Sequence, residues 1–277
     1  MYAIFGFIER EDVKGLKTFI DDNGKESLMT THHLIHPERV TPIEFSIMGG
    51  YSLEIIQMLI EHMKMFNLYH LLDCLQKWLS KDHYLYMYAK LGDHETVKCF
   101  IDIGVDPGYA YKAALDNKDL EMFKILSSFI IDNITSGIVL QEASVIDGND
   151  GIIRYLVSEL DTDVDFTGDS NTPLFLASSS GCHKNIKTLV SLKADLEYRN
   201  CKGLSPLFMA ASKGCMISAR ILVESGANLD SISFCWLERD DPTPYADVAD
   251  EILFSYPSKM TNFFLRLRSL NKFRMKN

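Results

Sequence analysis

Four aspartates, Asp161, Asp163, Asp165 and Asp169, have the alternating spacing of oxygen ligands in a calcium loop. Such a loop needs glycine at its sixth place and glutamate at its twelfth. Counted from Asp161, those places hold Phe166 and Thr172, so the acids read as a solvated hairpin. His32 and His36 are four apart and could meet on one helical turn, but Pro37 argues against a helix there. The six cysteines, Cys74, Cys99, Cys182, Cys201, Cys215 and Cys235, form no C-x-x-C pair. The sequence has no glycine-rich phosphate loop, no G-x-S-x-G elbow, no H-E-x-x-H and no zinc-finger spacing. Scattered Ser, His and Asp single out no triad. The expectation is therefore a chain without catalytic residues, metal or cofactor.

The stretch from Asn171 to Ala227 supplies the elements around these residues. Thr172-Pro173-Leu174-Phe175-Leu176-Ala177, Gly181 and Leu189-Val190 return as Ser205-Pro206-Leu207-Phe208-Met209-Ala210, Gly214 and Leu222-Val223, each 33 residues on. Leu156-Val157 lies one period earlier. A fixed period of this length marks a repeat architecture. Thr172 and Ser205 are placed to cap a helix, with proline next, where no amide hydrogen is needed. Gly181 and Gly214 suit the left-handed turn that stops a short helix. A second helix follows through Ile186, Leu189 and Val190, or through Ile217, Ile221 and Leu222. Gly226 ends it in the second copy, whereas Lys193 stands at that place in the first and is strained if left-handed.

Residues 168–231 closely resemble the ankyrin repeat, with its T-P-L-H-x-A-A-x-x-G…L-L…G-A pattern. Phe175 and Phe208 stand where that pattern has histidine, and Cys182-His183 stands where it has Gly-His. The other units rest on the period more than on the motif. Thr41-Pro42 and Thr243-Pro244 begin two of them, and the helix Leu53 to Met65 is strongly periodic. An apolar helix over about Leu68 to Leu79 falls outside the period, as does an insertion over Lys25 to Arg39. Further units are expected at Ala3 to Asn23, Tyr84 to Ile101, Tyr109 to Ile130 and Ile138 to Leu160. The fold expected is all-α: one ankyrin-repeat solenoid over 1–277, of about seven or eight helix-turn-helix units with short hairpin turns. Residues 257–277 form a basic amphipathic helix that caps it.

Composition bounds the partners. The net charge is −10, yet Lys259 to Lys276 holds six basic residues and no acid, which leaves −16 on the rest. An acidic body disfavours nucleic acid and favours a partner with a basic segment. No run reaches the length of a membrane span, and Met1 to Ile8 lacks the basic leader of a signal peptide. Neighbouring helices at about 8–10 Å hold Cys182 and Cys215 too far apart for a disulfide, so reduced thiols in a cytoplasmic or nuclear protein are expected.

The resemblance implies protein–protein interaction through hairpin tips and the inner-helix face, with no small-molecule substrate. Carried onto this sequence, one finger offers Asp163, Asp165, Phe166 and Asp169, and the next Glu197, Tyr198, Arg199 and Lys202. Phe175, Ser178 and Ser179, with Phe208, Ser212 and Lys213, are inner-face candidates, of which the two phenylalanines read more as core-packed than as exposed. Trp236, with Phe234 and Leu237, forms an apolar cluster in the following connection. The function expected is to sequester or scaffold a protein, and the divergent units fit a viral or parasite effector acting on host signalling. The alternative is a substrate receptor that recruits a ubiquitin ligase through its C-terminal helices.

Overall fold

The computed structural model describes residues 3–30, 40–81, 84–108, 110–127, 133–168 and 170–228. Four expectations fall outside these residues: the His32/His36 pair, Asp169, the cluster around Trp236, and everything after Asn228, including the 257–277 helix. The described residues form sixteen helices and no strand. The chain divides into two compact units. One comprises Met1–Ala114 and Glu121–Phe129, the other Leu115–Leu120 and Ile130–Asn277.

The first unit opens with α1 (Ala3–Glu9), α2 (Val13–Asn23) and the short α3 (Lys25–Leu28). Then come α4 (Pro42–Met48) and α5 (Leu53–Met65). α1 packs on α2 and α4, and α5 packs on α2, α3 and α4. The T-P signal does what its chemistry predicts. Thr41 Oγ1 accepts the Glu44 amide, and the Glu44 carboxylate accepts the Thr41 amide at 2.7 Å, so two of the helix's orphan donors are satisfied. Phe5 and Phe45 meet edge to face at 5.2 Å in the core between α1 and α4.

α6 (Tyr69–Lys81) is the helix the period did not predict to belong to a repeat. Neither glycine nor proline separates it from α5. Asn67 makes the break by taking a left-handed backbone, φ +54°, which a short polar side chain tolerates better than most. α6 packs between α5 and α7 (Tyr84–Leu91), and Gln76 donates to the Ile103 carbonyl beyond α8 (His94–Asp102). Tyr88 of α7 donates to the Ile47 carbonyl at the end of α4, 3.0 Å away. Burial, helped by Asp93 and Tyr84, raises the Tyr88 pKa, so this phenol stays a donor.

α9 (Tyr111–Asn117) and α10 (Leu120–Ser127) contain the boundary between the units. The second unit continues with α11 (Asn133–Ser144), α12 (Asp150–Ser158), α13 (Pro173–Ser180), α14 (His183–Ser191), α15 (Pro206–Ser212) and α16 (Met216–Glu224). One row runs α11, α13, α15 and the other α12, α14, α16, each helix packed on the next in its row. Ala177, Ala210 and Ala211 are buried along the first row, where small side chains allow close approach. Ile152, Leu156, Ile186, Leu189 and Leu222 fill the space between the rows. Each such side chain contributes about 1.5–3 kcal/mol by leaving water.

Thr172 and Ser205 cap α13 and α15, accepting the amides of Phe175 and Phe208 at 3.2 and 3.1 Å. Gly181, at φ +73°, ends α13 in the left-handed conformation. Lys193 is left-handed too, at φ +71°, in the place where the next copy has Gly226.

Two expectations need correction. Helix α11 begins at Asn133, not Ile138, and runs through Gly137. A glycine inside a helical pattern reads as a boundary, but here it makes room. A Cβ on Gly137 would lie 2.3 Å from the ring of Phe166. The inner-face candidate Ser178 is buried, at 0% exposure, whereas Phe175 and Phe208, at 5% and 8%, pack into the core as the sequence reading favours. The two rings pack into the core in place of the family's histidine, and Ser178 bonds back to the Leu174 carbonyl. Ser179, Ser212 and Lys213 keep partial or full exposure.

Candidate protein-binding surface

Two loops of equal phase project from the second unit: residues 159–172 between α12 and α13, and 192–205 between α14 and α15. Each is folded by its own short polar side chains. In the first, Asp163 Oδ1 accepts the Asp165 amide at 2.9 Å and the Asp163 carbonyl accepts the Phe166 amide. In the second, Asp195 Oδ1 accepts the Glu197 amide at 2.8 Å. Asn200 Oδ1 accepts the amides of Lys202 and Leu204, closing the tip around Gly203 at φ +71°. Aspartate and asparagine suit these turns because their side chains reach their own backbone two residues on.

The loops are tied to one another. Both carboxylate oxygens of Asp165 lie near the Asp195 amide, at 3.0 and 3.2 Å. Glu197 Oε1 accepts the Asn228 amide at 2.7 Å. Asp195 and Asn228 are 33 apart, so the same amide is taken in successive copies, by acceptors from neighbouring phases. Tyr198 donates its hydroxyl to the Ser170 carbonyl, and Asn200 Nδ2 to Asn171 Oδ1. Gln141 of α11 donates to the Asn171 carbonyl at 2.6 Å and so anchors the base of the first loop.

The sequence-derived residues therefore divide. Asp163, Glu197, Arg199 and Lys202 are exposed. Asp165 and Tyr198 are half-buried and occupied by the inter-loop bonds. Phe166 is half-buried as well, with its ring against Gly137 of α11. Arg199 holds the Gly203 carbonyl of its own tip at 3.0 Å. Asp165 has a raised pKa: burial is the main cause, and the carboxylates of Asp195 and Asp163 add to it, while the Asp195 amide opposes it.

Asn185 is the residue that pattern reading passed over. It is fully buried in α14 and its Nδ2 reaches three carbonyls, Ala143, Ser144 and Ile146, at 3.2, 3.1 and 2.8 Å. Its Oδ1 accepts the Gly148 amide. One side chain thus satisfies the turn that follows α11. Asp147 in that turn accepts the Lys184 amide at the start of α14 and lies 3.6 Å from His183. The available signal was a polar residue on the face that carries Cys182 and Leu189.

Cys182 is held as a thiol. Burial, Asp147 and Cys215 push its pKa up to about 11. Cys99 is also raised, by burial first and then by Asp102. Neither has the depressed pKa of a nucleophilic cysteine. Among the described residues no group of three His, Cys, Asp or Glu side chains is placed to hold a metal ion, and no helix is long and apolar enough to cross a membrane.

Paired short helices in two rows, joined by loops tied side to side, define a helical repeat array that displays side chains on its loops. Residues 140–233 match the family described as ankyrin repeats, three copies. That stretch of the chain carries ankyrin repeats, and ankyrin repeats are protein–protein interaction modules, in general without enzymatic activity. No curated protein matched the chain.

Proposed function

We propose that the protein binds a protein partner through the loops 159–172 and 192–205 and acts by occlusion, either sequestering that partner or scaffolding it. The observation that carries this reading is the set of ties from Asp165 to Asp195 and from Glu197 to Asn228. They fix the loop backbones before any partner arrives, so exposed Asp163, Arg199 and Lys202 are presented with little backbone entropy left to lose. The acidic balance of the chain outside its last segment favours a partner with a basic segment. Five cysteines of the described residues are free thiols, in keeping with a cytoplasmic or nuclear site of action. An effector role in host signalling has only the divergence of the units behind it. Ubiquitin-ligase recruitment rests on residues after Asn228, and no described residue favours it.

The test is affinity purification from the source cell with the intact chain and with a triple variant, Asp163→Ala, Arg199→Ala and Lys202→Ala, after thermal melts show that both are folded. The reading expects a protein retained by the first and lost, or weakened tenfold or more, with the second. Identical capture by both removes the loops from the interface.

A further inference from the structure

The row α12, α14, α16 carries one cation per helix at a single phase. Arg154, Lys187 and Arg220 are 33 residues apart, each two places before a buried leucine, Leu156, Leu189 or Leu222. All three cations are exposed. α12 packs on α14 and α14 on α16, so they stand in line at the ~8–10 Å spacing of packed helices. In the first unit Lys98 of α8 and Lys124 of α10 hold the same phase, before buried Phe100 and Leu126. A glutamate stands three residues ahead of each, Glu95 and Glu121, and Glu121 meets Lys124 at 2.8 Å. In the second unit that place holds Gly151, Lys184 and Ile217. The counter-ion is thus gone from all three copies, and Lys184 adds a fourth exposed cation. Among the described residues, none of Arg154, Lys187 and Arg220 lies in an ion pair, whether with Asp150 or Glu224 one turn away or with any other carboxylate. A chain of net charge −10 therefore presents, on this one row of helices, a line of unpaired positive charge.

We propose that Arg154, Lys187 and Arg220 form a docking face for an extended acidic segment of a partner protein, laid across α12, α14 and α16. Charge complementarity sets the sign of the occupant. The spacing sets its form. A chain in the polyproline II conformation turns once in three residues and rises about 3.1 Å per residue, so every third side chain points the same way at intervals of about 9 Å. That interval matches the distance between neighbouring helices. A segment with Asp or Glu at every third place therefore puts one carboxylate on each cation. The guanidinium groups of Arg154 and Arg220 can take theirs in a forked pair of hydrogen bonds, and the Lys187 ammonium takes the middle one as a point charge. A long polyanion fits less well. The loops that follow α12 and α14 carry exposed Asp161, Asp163 and Asp195, which repel a nucleic acid that runs on past the row. This face differs from the loops 159–172 and 192–205 in position and in sign, and it does not depend on their being a binding site.

The test is fluorescence anisotropy at low salt, where surface charge is least screened, with a labelled peptide of repeating Glu-Pro-Pro titrated with the full chain. Saturable binding is expected. It is expected to weaken tenfold or more in the triple variant Arg154→Gln, Lys187→Gln and Arg220→Gln, and less than twofold in Lys98→Gln/Lys124→Gln. Thermal melts check that the variants fold, and Lys187→Gln alone, with a loss of about threefold, serves if the triple variant does not. A peptide of the same composition with its glutamates in one block is expected to bind more weakly. Absent binding, equal affinity in all variants, or equal affinity for both peptides overturns the proposal. So does loss of the peptide in Asp163→Ala/Arg199→Ala/Lys202→Ala, because the site is then the loops. An oligonucleotide of equal charge that binds more tightly than the peptide and needs the same three cations overturns the acidic segment as occupant.

Discussion

Asp165 takes the backbone amide of Asp195 between its two carboxylate oxygens, at 3.0 and 3.2 Å, and ties one loop of the repeat array to the next. The bond is made against resistance, because burial and the carboxylates of Asp195 and Asp163 raise the pKa of Asp165. A raised native pKa means that the folded protein holds this proton more tightly than the unfolded chain. The contribution of Asp165 to stability is then greatest below the ordinary carboxylate value of about 3.9 and falls as pH rises through the raised one. Asp165→Asn keeps an oxygen for the Asp195 amide and removes the repulsion. The variant is expected to be more stable than the parent at pH 7, by less than about 1 kcal/mol given the solvent screening there. It is also expected to lose this group's part of the pH dependence. Urea unfolding across pH 3–7 measures both.

Asn185 predicts a larger loss. Replacing it by alanine removes this partner from the Ser144 and Ile146 carbonyls and the Gly148 amide, and one of three donors from the Ala143 carbonyl, in a half-buried turn. Unsatisfied buried groups cost about 1–3 kcal/mol, and a loss of about 2–3 kcal/mol is expected for Asn185→Ala in equilibrium denaturation. Asn185→Asp is expected to be worse, since a carboxylate would face the same carbonyls.

Gly137 and Phe166 form a pair that a double-mutant cycle can read. A methyl group at 137 collides with the Phe166 ring, so Gly137→Ala is expected to destabilise by about 1–3 kcal/mol despite the better helix propensity of alanine. In a Phe166→Ala background the same change is expected to be neutral or favourable. Additive effects would mean that the ring does not occupy that space.

Lys193 pays for a left-handed backbone that its mate Gly226 adopts freely. Lys193→Gly is expected to raise stability by about 1 kcal/mol, seen as a higher urea midpoint with an unchanged slope.

The thiols are expected to react in order of exposure and ionisation. Cys74 and Cys201 are exposed, whereas Cys182 is buried with a pKa of about 11. Alkylation at pH 8 with peptide mapping is expected to modify Cys201 and Cys74 first and Cys182 last. Fast labelling of Cys182 in the folded protein would contradict its placement.

The sequence by itself determined the parts whose cause is local. A hydroxyl before a proline caps a helix whatever surrounds it, so Thr41, Thr172 and Ser205 announced three helix starts. The spacing of Leu174, Ile186, Leu189, Leu207 and Leu222 announced the faces that pack, because burial follows helical period. The loops were legible as loops through their Asp, Asn and Gly content.

Tertiary structure alone decided what those loops can offer. Asp163 and Asp165 are two residues apart with the same side chain, yet one is exposed and the other bonded to the next loop. Phe166 and Tyr198 stand 32 residues apart, in nearly equivalent places of the two loops, but one ring rests on Gly137 and the other reaches Ser170. Asn185 reads as a polar interruption until the carbonyls after α11 are brought to it from some forty residues away. Local patterns fix which hydrogen-bond groups a segment satisfies internally. The remainder is shared out among neighbours in space, and only the packed array sets that division.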